Sequence, residues 1–238
     1  MVFALDRSGI VGEDGPTHHG LFDISYLRHI PNLILMDPKD ENEFQHMLNT
    51  ATLLSQPAAI RYPRGKGEGV AMDGMLMALE VGRGEILVDG RDLLLLPVGS
   101  MVYRACEAAR QLREEGIEVA VVNPRFIKPL DSALLCSMAQ EIGRIVTIEE
   151  NILAGGFGSA VIELFQERGF SHIKVLRIGI PDQFLAHGPQ GVLREKCGLG
   201  LQGILEKARS FLTGDVHAKI PELRVWGPGE STATRSIS

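Results

Sequence analysis

A chain of 238 residues, 45% hydrophobic and 23% charged, has material for one or two packed domains, which excludes a disordered or fibrous protein. Its formal net charge of −6, without a polybasic cluster, argues against nucleic acid and anionic membranes as partners. No apolar run approaches the ~20 residues a bilayer crossing needs, and Cys106, Cys136 and Cys197 lie far apart without C-x-x-C spacing, so a reducing compartment is expected rather than disulfides or zinc.

Val2-Phe-Ala-Leu5 reads as a short strand. The stretch from Asp6 to Gly20 then abandons regular structure: Gly9, Gly12, Gly15 and Gly20 permit positive φ, and Pro16 fixes a turn. Into it are packed Asp6, Arg7, Glu13, Asp14, Thr17, His18 and His19. Dense titratable chemistry at a strand end is where α/β proteins place their sites. Phe22 to His29 reads as a short helix, and Leu33-Ile-Leu-Met36 as a parallel strand covered on both faces. Asp40 or a neighbour caps the next helix, in which Phe44, Met47, Leu48, Ala51 and Leu54 recur at helical spacing. Ala58 to Tyr62 is another buried strand. Strand, helix, strand predicts the end of an open parallel sheet over residues 1–64. Residues 65–84, broken by Gly65, Gly67, Gly69, Gly74, Gly82 and Gly84, read as an interdomain linker.

A second domain is expected over residues 85–213. Leu93 to Leu96 is a strand, and the helix after it shows Val102, Ala105, Ala109 and Leu112 on one face, with Gly116 placed to end it. Strands follow at Val119–Val122, Ile145–Ile148 and Val175–Ile178, and helices at Asp131–Ile142 and Gly156–Arg168. A single amphipathic helical pattern runs from Val192 to Leu212. This alternation predicts a doubly wound α/β domain. From residue 214 to 238 the chain turns to Gly, Ser, Thr and Pro around Trp226, and this tail is expected to be disordered.

Arg7 and Arg64 each stand just past the carboxyl end of a predicted strand, the ligand edge of such a sheet, and arginine's planar fork matches a phosphate. The competing reading is an ion pair with Asp6 or Glu13. Arg61, inside the strand, reads as structural. His18 suits proton transfer or carbonyl polarisation, and Asp14, four residues earlier across a tight turn, is placed to orient its ring. Gly155-Gly-Phe-Gly-Ser159 fails the dinucleotide pattern, because Val161 occupies the third-glycine position and no acidic residue follows at the required spacing. Close packing of a helix start against the sheet accounts for it better. Whether Glu149-Glu150-Asn151 meets a ligand or another subunit stays open, and no metal-ligand set is expected.

Asp6-Arg-Ser-Gly-Ile-Val-Gly12, Asp14-Gly-Pro-Thr-His18 with Gly20, Arg61-Tyr-Pro-Arg-Gly65, Asn123-Pro-Arg-Phe-Ile-Lys-Pro-Leu-Asp131, Glu149-Glu-Asn151 and Gly155-Gly-Phe-Gly158 resemble, in that order, the 1-deoxy-D-xylulose-5-phosphate synthases. These are thiamine-diphosphate enzymes related to transketolase, and the resemblance covers about residues 2 to 212. It implies two doubly wound α/β domains: the incomplete end of a pyrimidine-binding domain, then a transketolase C-terminal-like domain. It implies a cytoplasmic homodimer (plastidic if eukaryotic) that decarboxylates pyruvate and joins the two-carbon unit to D-glyceraldehyde 3-phosphate, opening the non-mevalonate route to isoprenoids. Arg7 and Arg64 would clamp the substrate phosphate. Asp14 and His18 would serve in catalysis and cofactor binding, with His19 the variable position. Thiamine diphosphate and Mg²⁺ are implied, yet the family's Gly-Asp-Gly motif is absent, and its activating glutamate lies upstream of the strand at Val2. The expectation is therefore the C-terminal portion of such an enzyme, inactive alone. Two alternatives are a β subunit of a 2-oxo-acid dehydrogenase, against which Asp14–His18 and Arg61–Arg64 speak, and a non-catalytic dimerisation or ligand-sensing remnant.

Overall fold

Two mixed sheets with helices packed on them carry residues 1–214, the residues that this computed structural model describes; the expected disordered tail beyond Gly214 lies outside them. The first sheet begins with β1 (Val2–Leu5), β2 (Ile34–Met36) and β3 (Ala58–Arg61), all parallel, with β3 in the middle. Helices α1 (Asp23–Leu27) and α2 (Glu41–Leu53) lie in the connections. Asp40 is the α2 cap: its side chain accepts from the Glu43 N–H at 2.7 Å, satisfying a donor that has no partner inside the helix.

Residues 65–84 have no regular structure, but they are strapped along α2. The Glu41 carboxylate accepts from the N–H groups of Glu68, Gly69 and Val70. Asn42 accepts from the Asp73 N–H, His46 Nδ1 from the Met77 N–H and Thr50 from the Leu79 N–H. Positions 42, 46 and 50 share one helix face, so α2 supplies the hydrogen bonds that the strap's own backbone lacks.

The second sheet has the order β4-β6-β5-β8-β9: β4 (Glu85–Val88), β5 (Leu93–Pro97), β6 (Val119–Asn123), β8 (Arg144–Ile152) and β9 (Lys174–Ile180). All pair in parallel except β4, a four-residue antiparallel edge strand. Leu93 and Leu95 enter the core packed by α3 (Val102–Glu114) and α7 (Leu201–Thr213). Leu94 and Leu96 enter the opposite core, packed by α4 (Ser132–Ile142) and α5 (Phe157–Glu167). That two-faced burial is why β5 reads as an unbroken apolar run.

Three elements depart from the sequence expectation. Residues Phe126–Lys128 form β7, which leaves the second sheet and pairs antiparallel with β2 of the first. Pro124 ends β6, Arg125 turns at φ 59°, and both Asn123 and Arg125 hold the buried Glu43 of α2. β8 runs through Glu149, Glu150 and Asn151 because those polar groups bind inside the chain. The pattern from Val192 to Leu212 is two helices, α6 (Gln190–Lys196) and α7, because Gly198 turns into the left-handed region at φ 67°.

The glycine cluster that opens α5 serves close packing. A Cβ on Gly158 would lie 2.5 Å from Thr147 Oγ1 and 2.8 Å from Arg177 Cδ. Gly158→Ala should therefore cost about 1–3 kcal/mol of stability in denaturant unfolding. Gly191→Ala, in α6 with open space around it, should be neutral or stabilising by up to about 1 kcal/mol. Equal effects at the two positions would overturn the packing account.

Candidate functional site

β1 and β3 are neighbours in register, Leu5 opposite Arg61, so the segments following them leave the same sheet edge side by side. The Ser8 N–H donates to the Tyr62 carbonyl at 2.9 Å, and the Tyr62 N–H to the Leu5 carbonyl at 3.0 Å. Arg7 and Arg64 therefore issue from adjacent strand ends. Arg7 is exposed, takes a left-handed backbone at φ 62° and makes no ion pair among the described residues. Arg64, half exposed, is paired with the Asp14 carboxylate.

That pair bears on one competing reading and corrects one expectation. Asp14, rather than Asp6 or Glu13, is the partner of Arg64. Asp14 consequently does not orient His18, whose Nδ1 is instead 3.0 Å from Thr17 Oγ1. A carboxylate gains more from the planar fork of a guanidinium than from a single ring N–H, so the arginine takes it. Asp14 and His18 share one exposed turn, closed by the His18 N–H on the Gly15 carbonyl.

Behind this turn the loop 6–20 lies against the second domain. Its base closes on itself through Gly9 and Gly20. Ile10 and Leu21 are buried with Ile148 and Ile178 of the second sheet. The Gly188 N–H donates to the Gly12 carbonyl at 3.2 Å, and Gln190 Nε2 donates to the Ile10 carbonyl. His19, which the sequence reading passed over, is buried and bonded at both ring nitrogens. Composition and spacing do not separate the two adjacent histidines; the resemblance singles out His18, and burial sets His19 apart.

Beneath the loop is a buried charge network centred on Arg61. Its Nε donates to Asp23 at 2.9 Å and its Nη1 to Asp37 at 2.6 Å. Nη2 reaches the carbonyls of Gly20 and Glu150, each at 3.3 Å. The Glu150 carboxylate accepts both Nε and Nη2 of Arg194, and Ser100 Oγ at 2.8 Å. Glu149 accepts the Phe157 and Gly158 N–H groups at the start of α5, and Asn151 Nδ2 donates to Ser25 of α1. The segment 149–151 thus ties the two domains together from within. Burial pushes Asp37 up to about 7 against the pull of Arg61, and pushes Glu149 up to about 7 against its two N–H donors.

Two cavities flank the loops. One of about 730 Å³ is lined by Pro16, Phe22, Ile152, Gln183, Phe184 and His187. A smaller one of about 150 Å³ lies by Lys39, Asp40, Phe44, Tyr62 and Lys66, past the carboxyl ends of β2 and β3. Among the described residues no group of three or more His, Cys, Asp and Glu is placed to hold a metal, and no helix is long and apolar enough to cross a membrane.

Residues 1–68 match the transketolase pyrimidine binding domain, and residues 82–204 match the transketolase C-terminal domain. The chain is 54% identical over 214 residues to 1-deoxy-D-xylulose-5-phosphate synthase 1 of Geobacter metallireducens, an alignment covering 90% of this chain and 34% of that protein. The Heliobacterium modesticaldum synthase is 55% identical over 90% of this chain and 33% of its own length. That of Halothermothrix orenii is 50% identical over 97% and 35%. The chain thus spans about a third of the length of these curated relatives. A solved structure described as a split gene transketolase, inactive beta4 tetramer, superposes with a TM-score of 0.79 at 31% identity, over 89% of this chain and 67% of that one.

The burial of Glu149 has a signed consequence. Its folded value lies above its ordinary one of 4.5, so the folded state holds a proton that the unfolded state releases. Its contribution is complete below that ordinary value and is lost as pH rises through about 7. Glu149→Gln should cost about 1–3 kcal/mol by setting an amide donor against an N–H. It should also flatten the fall in stability between the ordinary and folded values. Thermal unfolding of both proteins across that range checks this; an unchanged slope would refute the assignment.

Proposed function

The chain belongs to the transketolase family, and on that premise we propose that it forms the aldehyde-phosphate-binding part of a 1-deoxy-D-xylulose-5-phosphate synthase. In the proposed reaction pyruvate loses CO₂, and its remaining two carbons join the aldehyde carbon of D-glyceraldehyde 3-phosphate. Thiamine diphosphate, when bound, supplies the electron sink for that decarboxylation. Among the described residues no group of three or more His, Cys, Asp and Glu is placed to hold Mg²⁺, and the part read here for this chain is substrate binding and proton handling.

The observation that carries the reading is the placement of Arg7 and Arg64 on adjacent strand ends, with an oxyanion already on Arg64. The Asp14 carboxylate stands where a substrate phosphate would be gripped. A phosphate arriving between the two arginines displaces it, and the freed carboxylate is then available to His18 in the same turn. His18 is exposed and engages Thr17 through Nδ1, which leaves Nε2 to hold a proton for the substrate's carbonyl oxygen. Self-association is part of the same reading, supported by the tetrameric state of the split-gene neighbour. So is a reducing, cytoplasmic setting, supported by the free thiols of Cys106, Cys136 and Cys197.

Assayed alone with thiamine diphosphate and Mg²⁺, the 238-residue chain should form no product, and supplying a polypeptide equivalent to the other two thirds of its relatives should restore it. In that reconstituted enzyme Arg64→Ala should raise KM for glyceraldehyde 3-phosphate and lower kcat/KM by roughly ten- to a hundred-fold, the size of one charged contact. Arg64→Lys should recover part of the loss, because a point charge cannot reproduce the fork. With unphosphorylated glyceraldehyde, parent and variant should perform alike; equal impairment with both aldehydes would end the clamp assignment.

A further inference from the structure

His19 is the only titratable side chain of residues 6–20 that is buried, and both of its ring nitrogens are engaged. Nδ1 lies 3.0 Å from the Val11 N–H, which can only donate, so Nδ1 must be unprotonated. Nε2 faces the Ala186 carbonyl at 3.3 Å, which can only accept, so Nε2 must carry the proton. The surroundings therefore select the neutral Nε2–H tautomer. The contact with Val11 closes a ring around residues 12–18, the segment holding Asp14 and His18. The contact with Ala186 pins that ring to the second domain. Hydrogen bonds from Gly188 and Gln190 to the loop's carbonyls lie along the same seam, but neither group titrates.

We propose that His19 is a positioning residue, a latch that fastens the ring carrying Asp14 and His18 to the second domain and opens when its imidazole is protonated. The inference rests on the reading of Asp14 and His18 as site residues. Protonation would set an Nδ1–H against the Val11 N–H and break the ring closure. Two titratable side chains act on the imidazole: Glu150 of β8, itself held by Arg194, favours the cation, and His18 opposes it. Burial, reinforced by His18, outweighs the Ala186 carbonyl and Glu150 and lowers the value from the ordinary one. The latch is therefore complete above about 6.5 and is lost as pH falls on through the lowered folded value.

Hydrogen exchange over residues 9–19 of the full 238-residue chain, corrected for intrinsic rates, tests this together with long-range ¹H–¹⁵N correlations of the imidazoles. The parent should show the Nε2–H tautomer and a step up in loop exchange on acidification. His19→Ala should open the loop roughly five- to a hundred-fold at any pH, the effect of leaving buried polar groups unpaired. His19→Gln, whose amide offers an acceptor and a donor without titrating, should keep the loop closed and abolish the acid step. An Nδ1–H tautomer, unchanged exchange in the alanine variant, or an acid step surviving in the glutamine variant would each overturn the latch. Should the alanine variant not fold, parent and glutamine variant still decide. Exchange is read without turnover, so a reconstituted enzyme lacking synthase activity would refute the functional reading and leave the latch standing, and the converse holds equally.

Discussion

A buried guanidinium is costly unless every donor finds an acceptor, and the first domain is arranged to meet that demand at Arg61. The acceptors come from separate places in the chain: Asp23 opens α1, Asp37 follows β2, Gly20 ends the loop, and Glu150 lies on β8 of the other sheet. Removing any one would leave a charge stranded in a region sealed from water, so all are held at fixed separation. The loop that carries Asp14 and His18 begins beside β3, where the Ser8 N–H donates to the Tyr62 carbonyl, and ends on Gly20, whose carbonyl is held by the Arg61 side chain. A glycine-rich segment with little structure of its own thereby acquires a defined position.

The same network reaches the place where the topology of the second domain would open a ligand crevice. In a doubly wound sheet that crevice opens at the carboxyl ends of strands whose connections diverge, here β5 and β8. The position of a Cβ on Gly99, just past β5, is taken by the Asp37 carboxylate of the first domain, and Ser100 is held by Glu150. The crevice that other doubly wound domains offer to a small molecule is here occupied by a neighbouring domain. What the second domain does instead is grip the loop through Ala186, Gly188 and Gln190.

Much of this was legible in the sequence, and what was not failed for identifiable reasons. Leu33–Met36 and Leu93–Leu96 announce strands because both faces are buried, and Asp40 and Asp131 announce helix starts because capping is a local interaction. Arg7 and Arg64 stand out because a strand end fixes which edge they serve. β7 was invisible because its three residues are too few to show a period and their partner lies some ninety residues earlier. Glu149 and Glu150 hid the second half of β8, because a charged residue in a strand reads as exposed until its partner is known. The difference between His18 and His19 depends on a loop over a hundred and sixty residues away, and no local pattern carries that information.

The contrast between buried and exposed charges also orders the chemistry. Arg61 and Glu150 have full sets of partners in a dry setting, which suits them to hold shape and makes them poor at exchange. Arg64 and Asp14 form a pair that water reaches, and such pairs are worth only about 0.2–1 kcal/mol. A phosphate gripped by arginine forks gains roughly 1.5–3 kcal/mol per charged contact, so replacing Asp14 at Arg64 runs downhill. Asp14 can make that exchange without unfolding the loop, because the ring around residues 12–18 is held elsewhere, at Val11 and Ala186. The proposed site therefore works by separating its tasks: groups that must not move are buried and saturated, and the one contact that must break is left weak and wet.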